Sequence, residues 1–457
     1  MLLFVVKRTL RFIPILFSIS ILGFLLTAYM PGDPVKKILI ARYGADYKNS
    51  ALDSKQLQSS IYKELGLDKP LFYFSINSYN ACDTLYKIQD FEQRKAMERL
   101  SDMYGCWENI ETYFSTINFY IANHSNEKNT LVNLSQEYEN KRILLLLSRV
   151  SSQNTSQGAT LERLYANIVE SKSLMGNYIP TINLNGFENQ FNLWLFGNGH
   201  QRKGIIRGDF GSSLRTGEPI ENFIWKKLGY SLELIFIAVS LAFLFAIPTG
   251  MRLTRTKSKH SQNMLNILIY LMYSIPGYLA ATLLIFFFAN TQSLYWFPES
   301  GLYPIGYHPS EHSYWSNLRI GMPYMILPIL TYAISAFAFI SKLTKNITAE
   351  ELNFDYYKTA LAKGLSAKEA TRKHVLKNIL IPLVTLFTQI LPAAVGGTLI
   401  VELIFQYPGI GQVTYDAALN ANYPVIVAVF TISGIMTVVA YLLADIVYAL
   451  INPKLRH

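Results

Sequence analysis

The sequence predicts an all-α membrane protein with six transmembrane helices and a helical insertion after the first of them. Three observations favour this class. Hydrophobic residues make up 51% of the 457 residues and charged residues only 16%, whereas an ordinary soluble domain has about 25% charged residues. The hydrophobic residues are clustered in long runs, and the excess basic residues lie at alternate ends of those runs.

Six runs reach the roughly 20 apolar residues that a helix needs to cross about 30 Å of hydrocarbon. They are Phe12–Met30, Leu232–Gly250, Leu265–Phe288, Met322–Ser341, Ile379–Phe405 and Pro424–Ile451. The first run follows a basic start and could be mistaken for a signal peptide. It is longer than the roughly 7–15 apolar residues of a cleaved signal, and no small-residue cleavage pattern follows it. We therefore expect a retained N-terminal helix within residues 1–30.

The charge distribution predicts the orientation of these helices. Residues 31–225 contain 21 basic and 21 acidic residues, so the net charge of +10 comes entirely from the rest of the chain. Because Lys and Arg are retained on the cytoplasmic side of membranes, we expect both termini and two internal loops in the cytoplasm. The basic patches are then topology signals, with some attraction to anionic lipid, rather than nucleic-acid sites.

The outward segment 31–227 is too long for a simple connection, since loops beyond about 12–15 residues usually carry structure of their own. Apolar residues at helical spacing predict helices at Thr84–Met103, Trp107–Ile121, Thr130–Val150 and Leu161–Leu174. They would form a helical insertion at about 80–195. The run Ile143–Leu147 is too short to cross a bilayer and is expected to be the buried face of one of these helices.

Both cysteines of the chain, Cys82 and Cys106, lie in the predicted insertion. In an oxidising compartment they would form a disulfide that contributes roughly 3 kcal/mol to stability. The alternative is a pair of free, buried thiols.

The cytoplasmic loop 343–378, between the fourth and fifth spans, carries the most information about function. Its first part, Thr348 to Lys363, is predicted to be a helix capped by Thr348, with Gly364 where a helix end favours a left-handed residue. Ser366 and Glu369 match a capping box that opens a second helix. The loop is therefore expected to be a helix, a glycine turn and a helix. Composition alone allows another interpretation, a basic amphipathic hairpin lying on the membrane.

The order of residues in this loop resembles the "EAA" loop of ABC importer permeases. Tyr357 to Gly364 reads YKTALAKG and is followed by Ile381-Pro382. This form is similar to the dipeptide/oligopeptide permease branch, although the usual glutamate and first alanine of the loop are not reproduced. The resemblance covers about residues 1–80 and 195–457. Its further pieces are Pro31-Gly-Asp-Pro34, Leu65 to Leu71, Arg207 to Arg215, Ser231 to Leu234, Ser274 to Pro276, Trp296 to Gly301, Val401 to Gly411, Ala444 to Ile446 and Asn452 to Arg456.

The resemblance implies a subunit with the type I importer permease fold in a bacterial inner membrane, with a five-helix core at 228–457. It implies no enzymatic activity and no cofactor on this chain, because ATP and Mg would be bound by partner ATPase subunits. Consistently, the sequence contains no phosphate-binding loop motif. The implied partners are cytoplasmic ATPases, a sister permease in a heterodimer, an extracytoplasmic substrate-binding protein and membrane lipid. The ATPase-coupling residues implied by the motif are Tyr356, Tyr357, Thr359, Ala360, Ala362, Lys363, Gly364 and Leu365.

A second group of candidates follows the fifth span. Ionisable groups near a membrane are functional candidates, and Glu402 either faces the transport pathway or is a helix-end or subunit-interface carboxylate. The turn Tyr407-Pro408-Gly409-Ile410-Gly411 is either a gate or a structural re-entry.

The substrate also has alternatives. Besides peptides, related permeases move nickel chelates, glycans or antibiotic-like peptides. A membrane sensor or assembly platform is the rival from a different functional class.

Overall fold

The fold is described from a computed structural model, which defines residues 2–29, 33–44, 51–82, 84–123, 128–153, 155–199, 202–255, 258–396 and 399–451. Two compact units make up the chain. The first comprises Met1–Thr27, Phe210–Ser213 and Glu218–His457, and the second comprises Ala28–Asp209 and Leu214–Gly217. The predicted insertion at 80–195 lies within the second unit.

The α-helices up to the end of the second unit are α1 Leu2–Ala28, α2 Pro34–Tyr43, α3 Ala51–Glu64, α4 Phe91–Tyr104, α5 Trp107–Asn123, α6 Lys128–Ser135, α7 Asn140–Gln153, α8 Thr155–Glu170 and α9 Gln190–Phe196. The remaining ones are α10 Glu221–Leu253, α11 Lys259–Ser274, α12 Gly277–Phe288, α13 Tyr314–Glu351, α14 Asp355–Ala362, α15 Ala367–Ala370, α16 Leu376–Gly396, α17 Leu399–Ile404, α18 Ile410–Leu419 and α19 Tyr423–Ile451. Two strands, β1 Phe74–Ser78 and β2 Pro180–Leu184, pair antiparallel, with Phe74 opposite Leu184 and Ser78 opposite Pro180. The protein is thus mainly helical, as predicted.

Within the described residues, four helices are long and apolar enough to cross a membrane. They are Thr9–Ala28, Glu221–Leu253, Tyr314–Glu351 and Tyr423–Tyr448. The pair α11 and α12 would add a fifth crossing if it were one broken span. The predicted fifth span coincides with α16 and α17, and residues 397 and 398 between them lie outside the described part. The total of six spans therefore stays a prediction.

The predicted third span differs most from its expected form, because α11 and α12 are bent by 100° relative to each other. The break lies at Ile275, which has an extended conformation with φ −77° and ψ 117°. The ring of Pro276 disfavours the helical conformation in the residue before it. Pro248 and Pro328 lie inside continuous helices, so proline alone does not determine where a span breaks.

Helix packing in the first unit buries two apolar clusters. One joins Leu234 and Ala238 of α10 to Met325 of α13 and to the segment Val401–Tyr407. The other joins Ala242 and Ala246 of α10 to Ile340 of α13, Tyr357 and Ala360 of α14, Val375, and Ile379 and Leu383 of α16. Both clusters include α10 and α13, so these two helices connect the regions that contain the two groups of candidate residues.

The second unit has its own core among α4, α5, α6, α7 and α8. The run Ile143–Leu147 shows the predicted helical pattern, since Ile143 and Leu147 are buried while Leu144 and Leu145 are exposed. The helix predicted at Thr130–Val150 is instead two helices, because residues 136–139 interrupt it, and α4 begins at Phe91 rather than near Thr84. The two strands that flank this helical region were not predicted.

Candidate functional site

The predicted cytoplasmic loop begins later than the sequence suggested. Thr348 does not cap a new helix: it lies inside α13, it is 0% exposed, and its hydroxyl donates to the Thr344 carbonyl. Helix α13 ends at Glu351, and the short helix α14 begins at Asp355 after an extended Phe354. The predicted first helix was therefore wrong at its start, because tertiary burial extends α13 past a plausible N-cap.

The predicted coupling residues divide between two faces of α14 and the turn after it. Tyr357 and Ala360 are only 9% and 6% exposed, and they pack on α10, α13 and α16. Solvent-exposed positions are Thr359, Ala362, Lys363 and Gly364, while Tyr356 and Leu365 are half-buried. The loop thus presents a small-residue surface to solvent and an apolar surface to its own bundle.

The turn after α14 follows its predicted local chemistry. Gly364 has φ +89°, a left-handed conformation that costs an L-residue roughly 1–2 kcal/mol. Ser366 and Glu369 form the predicted capping box in both directions. The hydrogen bonds from Ser366 lower the pKa of the exposed Glu369 carboxyl. A π-helical turn at Thr371–Val375 then connects α15 to α16.

Glu351, the last residue of α13, connects three helices. Its carboxylate accepts hydrogen bonds from the Tyr356 hydroxyl of α14 and from Asn378 Nδ2 of α16, the latter at 2.9 Å. Burial, with the hydrogen bond to Glu351 as a further cause, raises the pKa of Tyr356 to about 12, so this hydroxyl stays a donor. Arg255, which follows α10, adds a contact from its Nη2 to the Ala367 carbonyl at 2.7 Å.

The second group of candidates forms a buried network around Glu402, which is 1% exposed. Its carboxylate accepts from the Ser231 hydroxyl of α10 at 2.7 Å and from the backbone N–H of Gln412 at 3.1 Å. Ser231 Oγ in turn accepts the backbone N–H of Ile410 at 2.8 Å. Free N–H groups and the helix dipole make the start of a helix favourable for a carboxylate. Among its described contacts, Glu402 therefore fastens the start of α18 to α10.

The turn before α18 fits closely around this carboxylate. A Cβ at Gly409 would lie 2.4 Å from the Glu402 carboxyl carbon, and one at Gly411 would lie 2.9 Å from its Oε2. Tyr407 is buried, with its hydroxyl 3.4 Å from the Tyr230 carbonyl, and Pro408 is half-buried. The turn is therefore closely packed, and both interpretations of it, a gate or a structural re-entry, stay predictions.

A cavity of about 280 Å³ lies beside this turn, between α10, α13 and the loop that precedes α13. Its lining includes the opposite charges of Lys226 and Glu233 and the rings of Tyr230, Tyr303 and Tyr314. Burial is the main cause that raises the pKa of Tyr303 to about 12. The cavity was not predicted from the sequence, because its residues come from two distant segments.

Comparison with known proteins identifies the family. The family described as "Binding-protein-dependent transport system inner membrane component" matches residues 234–457. The oligopeptide transport system permease protein AppB of Bacillus subtilis is 31% identical over 254 residues, which are 55% of this chain and 78% of that protein. The chain belongs to this family of peptide-type ABC permeases. The permease is accordingly a multi-pass inner-membrane protein.

Two further relatives support the same assignment. The peptidoglycan transport system permease protein YejB of Agrobacterium fabrum is 30% identical over 251 residues, 55% of this permease and 68% of that protein. The oligopeptide transport system permease protein OppB of Mycobacterium tuberculosis is 29% identical over 254 residues, 55% of this permease and 77% of that protein. The family match contains α14 and Glu402, whereas residues 28–209 lie outside it.

The two cysteines of the permease are not bonded to each other. Cys82 Sγ lies 3.0 Å from Thr84 Oγ1, and Cys106 Sγ lies 3.4 Å from the Ile168 carbonyl. The predicted disulfide is therefore absent, and the alternative of two free thiols describes the structure, with both thiols half-buried.

Sequence reasoning missed the residues that hold the candidates in place. Ser231 and Asn378 were not singled out as partners of the candidate residues. A signal was present for Ser231, because the segment Ser231 to Leu234 and the segment Val401 to Gly411 both carry the family resemblance. Nothing in the sequence indicated that these two segments meet.

Proposed function

We propose that the permease imports oligopeptides by alternating access, driven by ATP hydrolysis on separate cytoplasmic ATPase subunits. The observation that carries this proposal is the two-sided placement of α14 within a chain of this family. One side is packed into the bundle through Tyr357 and Ala360, and the other offers Thr359, Ala362 and Lys363 to a partner. A short helix held in this way transmits a displacement from a docked partner to the bundle.

In this mechanism α14 is the coupling helix. ATPase closure displaces α14, and the contacts of Tyr357 and Ala360 with α10, α13 and α16 carry the displacement into the membrane-spanning helices. Rocking of the bundle against a second permease then exposes the pathway alternately to each side. ATP and Mg are bound by the ATPases, so this chain supplies mechanical coupling and the pathway wall.

The proposed assembly has this permease paired with a related sister permease in a heterodimer. Two ATPases lie on the cytoplasmic side, where the charge distribution also predicts both termini, and a substrate-binding protein delivers substrate from outside. Peptides are the favoured substrate because AppB and OppB are named as oligopeptide permeases. The name of YejB supports peptidoglycan-derived substrates as a second candidate.

The test uses two alanines two positions apart, one on each side of α14. Ala362→Trp adds bulk to the exposed side. We expect it to prevent co-purification of the ATPase and abolish peptide uptake, while the permease keeps its thermal unfolding temperature. Ala360→Leu adds bulk to the buried side, where overpacking costs about 1–3 kcal/mol, so its unfolding temperature should fall.

Ile305→Asp serves as the control, because Ile305 is fully exposed on the loop before α13. It should leave ATPase co-purification unchanged. If Ala362→Trp retained both the ATPase and normal coupling, α14 would not be the docking element. If no ATPase purified with the unmodified permease, the proposed function itself would be wrong.

A further inference from the structure

The cavity beside the Glu402 network has an arrangement of charges that the coupling mechanism does not use. Lys226, Tyr230 and Glu233 line it from one face of α10. They are separated by four and three residues, which is the spacing of side chains along one face of a helix. Over the seven residues from Lys226 to Glu233, the helix rises about 10.5 Å at 1.5 Å per residue. One helix face therefore presents a cation and an anion whose backbone positions are about 10.5 Å apart along the helix axis.

The charged groups lie near the start of a helix that is longer than the membrane core. Helix α10 has 33 residues and is about 50 Å long at 1.5 Å per residue. The hydrocarbon of a bilayer is about 30 Å thick, so roughly 20 Å of α10 extends beyond it. The apolar run begins only at Leu232, which puts Lys226 and Tyr230 in the extending part and Glu233 at its border.

The rest of the lining is aromatic and polar. Tyr314 donates to Glu233 Oε1 at 3.2 Å, which leaves acceptor capacity on the carboxylate, because an ionised carboxylate accepts about four hydrogen bonds. Asn317 is held by the Tyr307 hydroxyl at 2.7 Å and by the Pro309 carbonyl at 2.9 Å, which fixes the loop that closes the cavity. Tyr407, which is outside the lining, packs edge-on against the lining residue Tyr230 with 6.4 Å between ring centroids.

The ligand that matches this cavity carries a cation at one end and an anion at the other, with a length on the order of the about 10.5 Å between the backbone positions of Lys226 and Glu233. Three residues of extended chain span at most about 10–11 Å, at 3.3–3.6 Å per residue. A tripeptide with free termini has its ammonium and carboxylate at this separation. Hydrogen bonds to charged groups are stronger than neutral ones, so the charged termini would dominate recognition while the tyrosine rings accept varied side chains.

We propose that this cavity binds short peptides with free termini, holding the amino terminus at Glu233 and the carboxyl terminus at Lys226. The inference rests on the proposed function and deepens it, since it identifies a peptide-binding site on the permease itself. The site selects peptides by their ends and by a length near three residues, and it is nearly indifferent to their side chains.

The experiment measures protection of a cysteine in the cavity and needs neither ATP nor the binding protein. Ser310 lines the cavity and is exposed, so Ser310→Cys, with Cys82 and Cys106 changed to Ser, reports occupancy by its rate of maleimide alkylation. The purified permease complex is titrated with trialanine. We expect trialanine to slow alkylation at least threefold at saturation, and N-acetyl-trialanine amide, which lacks both charges, to have no effect.

Variants assign each end of the peptide. Glu233→Gln should raise the trialanine concentration for half-protection about tenfold, as expected for the loss of one charge-assisted contact, and Lys226→Gln should do the same. Against a peptide with only its amino end blocked, Glu233→Gln should have no further effect while Lys226→Gln keeps its full effect. A general loss of structure would change all of these values together.

Leu294→Cys, exposed and outside the cavity, is the control and should be alkylated at the same rate with or without peptide. Equal alkylation of Ser310→Cys with and without millimolar trialanine would overturn the inference if the unmodified importer transports that peptide. Equal protection by the blocked and free peptides would overturn it as well. A complex that transports no peptide at all would instead refute the proposed function.

Discussion

Glu351 and Glu402 lie near opposite ends of α10 and fasten different short helices, α14 and α18. Glu402 is almost completely buried and contacts a backbone N–H as well as the Ser231 hydroxyl. Glu351 is half-buried and is held by two side chains, from Tyr356 and Asn378. The same chemical group thus serves two attachments of different rigidity.

This difference separates a fixed element from a movable one. Removing a partner from a buried carboxylate network leaves polar atoms without hydrogen bonds, at a cost of about 1–3 kcal/mol or more. A half-buried network is rehydrated when it opens, so its cost is lower. We infer that α18 stays fixed to α10 during transport, while α14 can adjust its position when a partner docks.

The largest expected effect tests the rigid attachment. Gly409→Ala would put a Cβ 2.4 Å from Glu402 and Ser231, and overpacking of this kind costs about 1–3 kcal/mol. We expect a clear drop in the thermal unfolding temperature of the purified permease. Gly229→Ala, in α10 with nothing within 4 Å of the added Cβ, should keep or raise that temperature. Equal behaviour of the two variants would mean that the turn around Glu402 is not rigid.

An intermediate effect tests the movable attachment. Glu351→Ala removes the acceptor shared by Tyr356 and Asn378, and we expect ATP hydrolysis to continue while peptide uptake per ATP falls severalfold. Glu351→Gln keeps an acceptor oxygen and should restore part of the uptake. The neighbouring Glu350 is exposed, so Glu350→Ala should behave like the unmodified permease. Unchanged uptake per ATP in Glu351→Ala would show that this contact does not position α14.

The smallest effect concerns the capping box after α14. Ser366→Ala removes an N-cap, which costs about 1 kcal/mol, and it removes the hydrogen bonds that lower the pKa of Glu369. A lowered pKa in the folded state gives stability that is present above the unfolded pKa and is lost as pH falls through the folded value. Unfolding temperatures measured from pH 7 down to pH 3 should therefore differ less between the variant and the unmodified permease at the acidic end. A constant difference would contradict the role of Glu369.

The features predicted correctly from the sequence are those fixed by nearby residues. Gly364 ends a helix because of its own backbone freedom, and Ser366 with Glu369 forms a box within four residues. The buried pattern of Ile143–Leu147 follows from helical spacing alone. The family resemblance could be recognised from the sequence because each of its motifs is a short continuous segment.

The features predicted wrongly depend on distant contacts. Thr348 looks like a cap until packing extends α13 past it, and Cys82 and Cys106 look like a disulfide pair but are free in the fold. The side on which Ala360 lies was also not predictable, because it depends on the packing of α14 against α10 and α16; its coupling role stays a prediction. The predicted third span breaks at Pro276, whereas α13 continues through Pro328. The residues around the two prolines do not predict this difference.

Because α13 is long, a small rotation of its second half displaces the end of the helix by several Å. From Pro328 to Glu351 the helix contains no further proline and extends about 35 Å at 1.5 Å per residue. A tilt of roughly 10° about Pro328, where a proline permits bending, would swing the end of α13 sideways by about 6 Å. The same helix begins at Tyr314 in the cavity wall, so a bend at Pro328 would move the Glu351 end, to which α14 is attached, and leave the cavity wall in place.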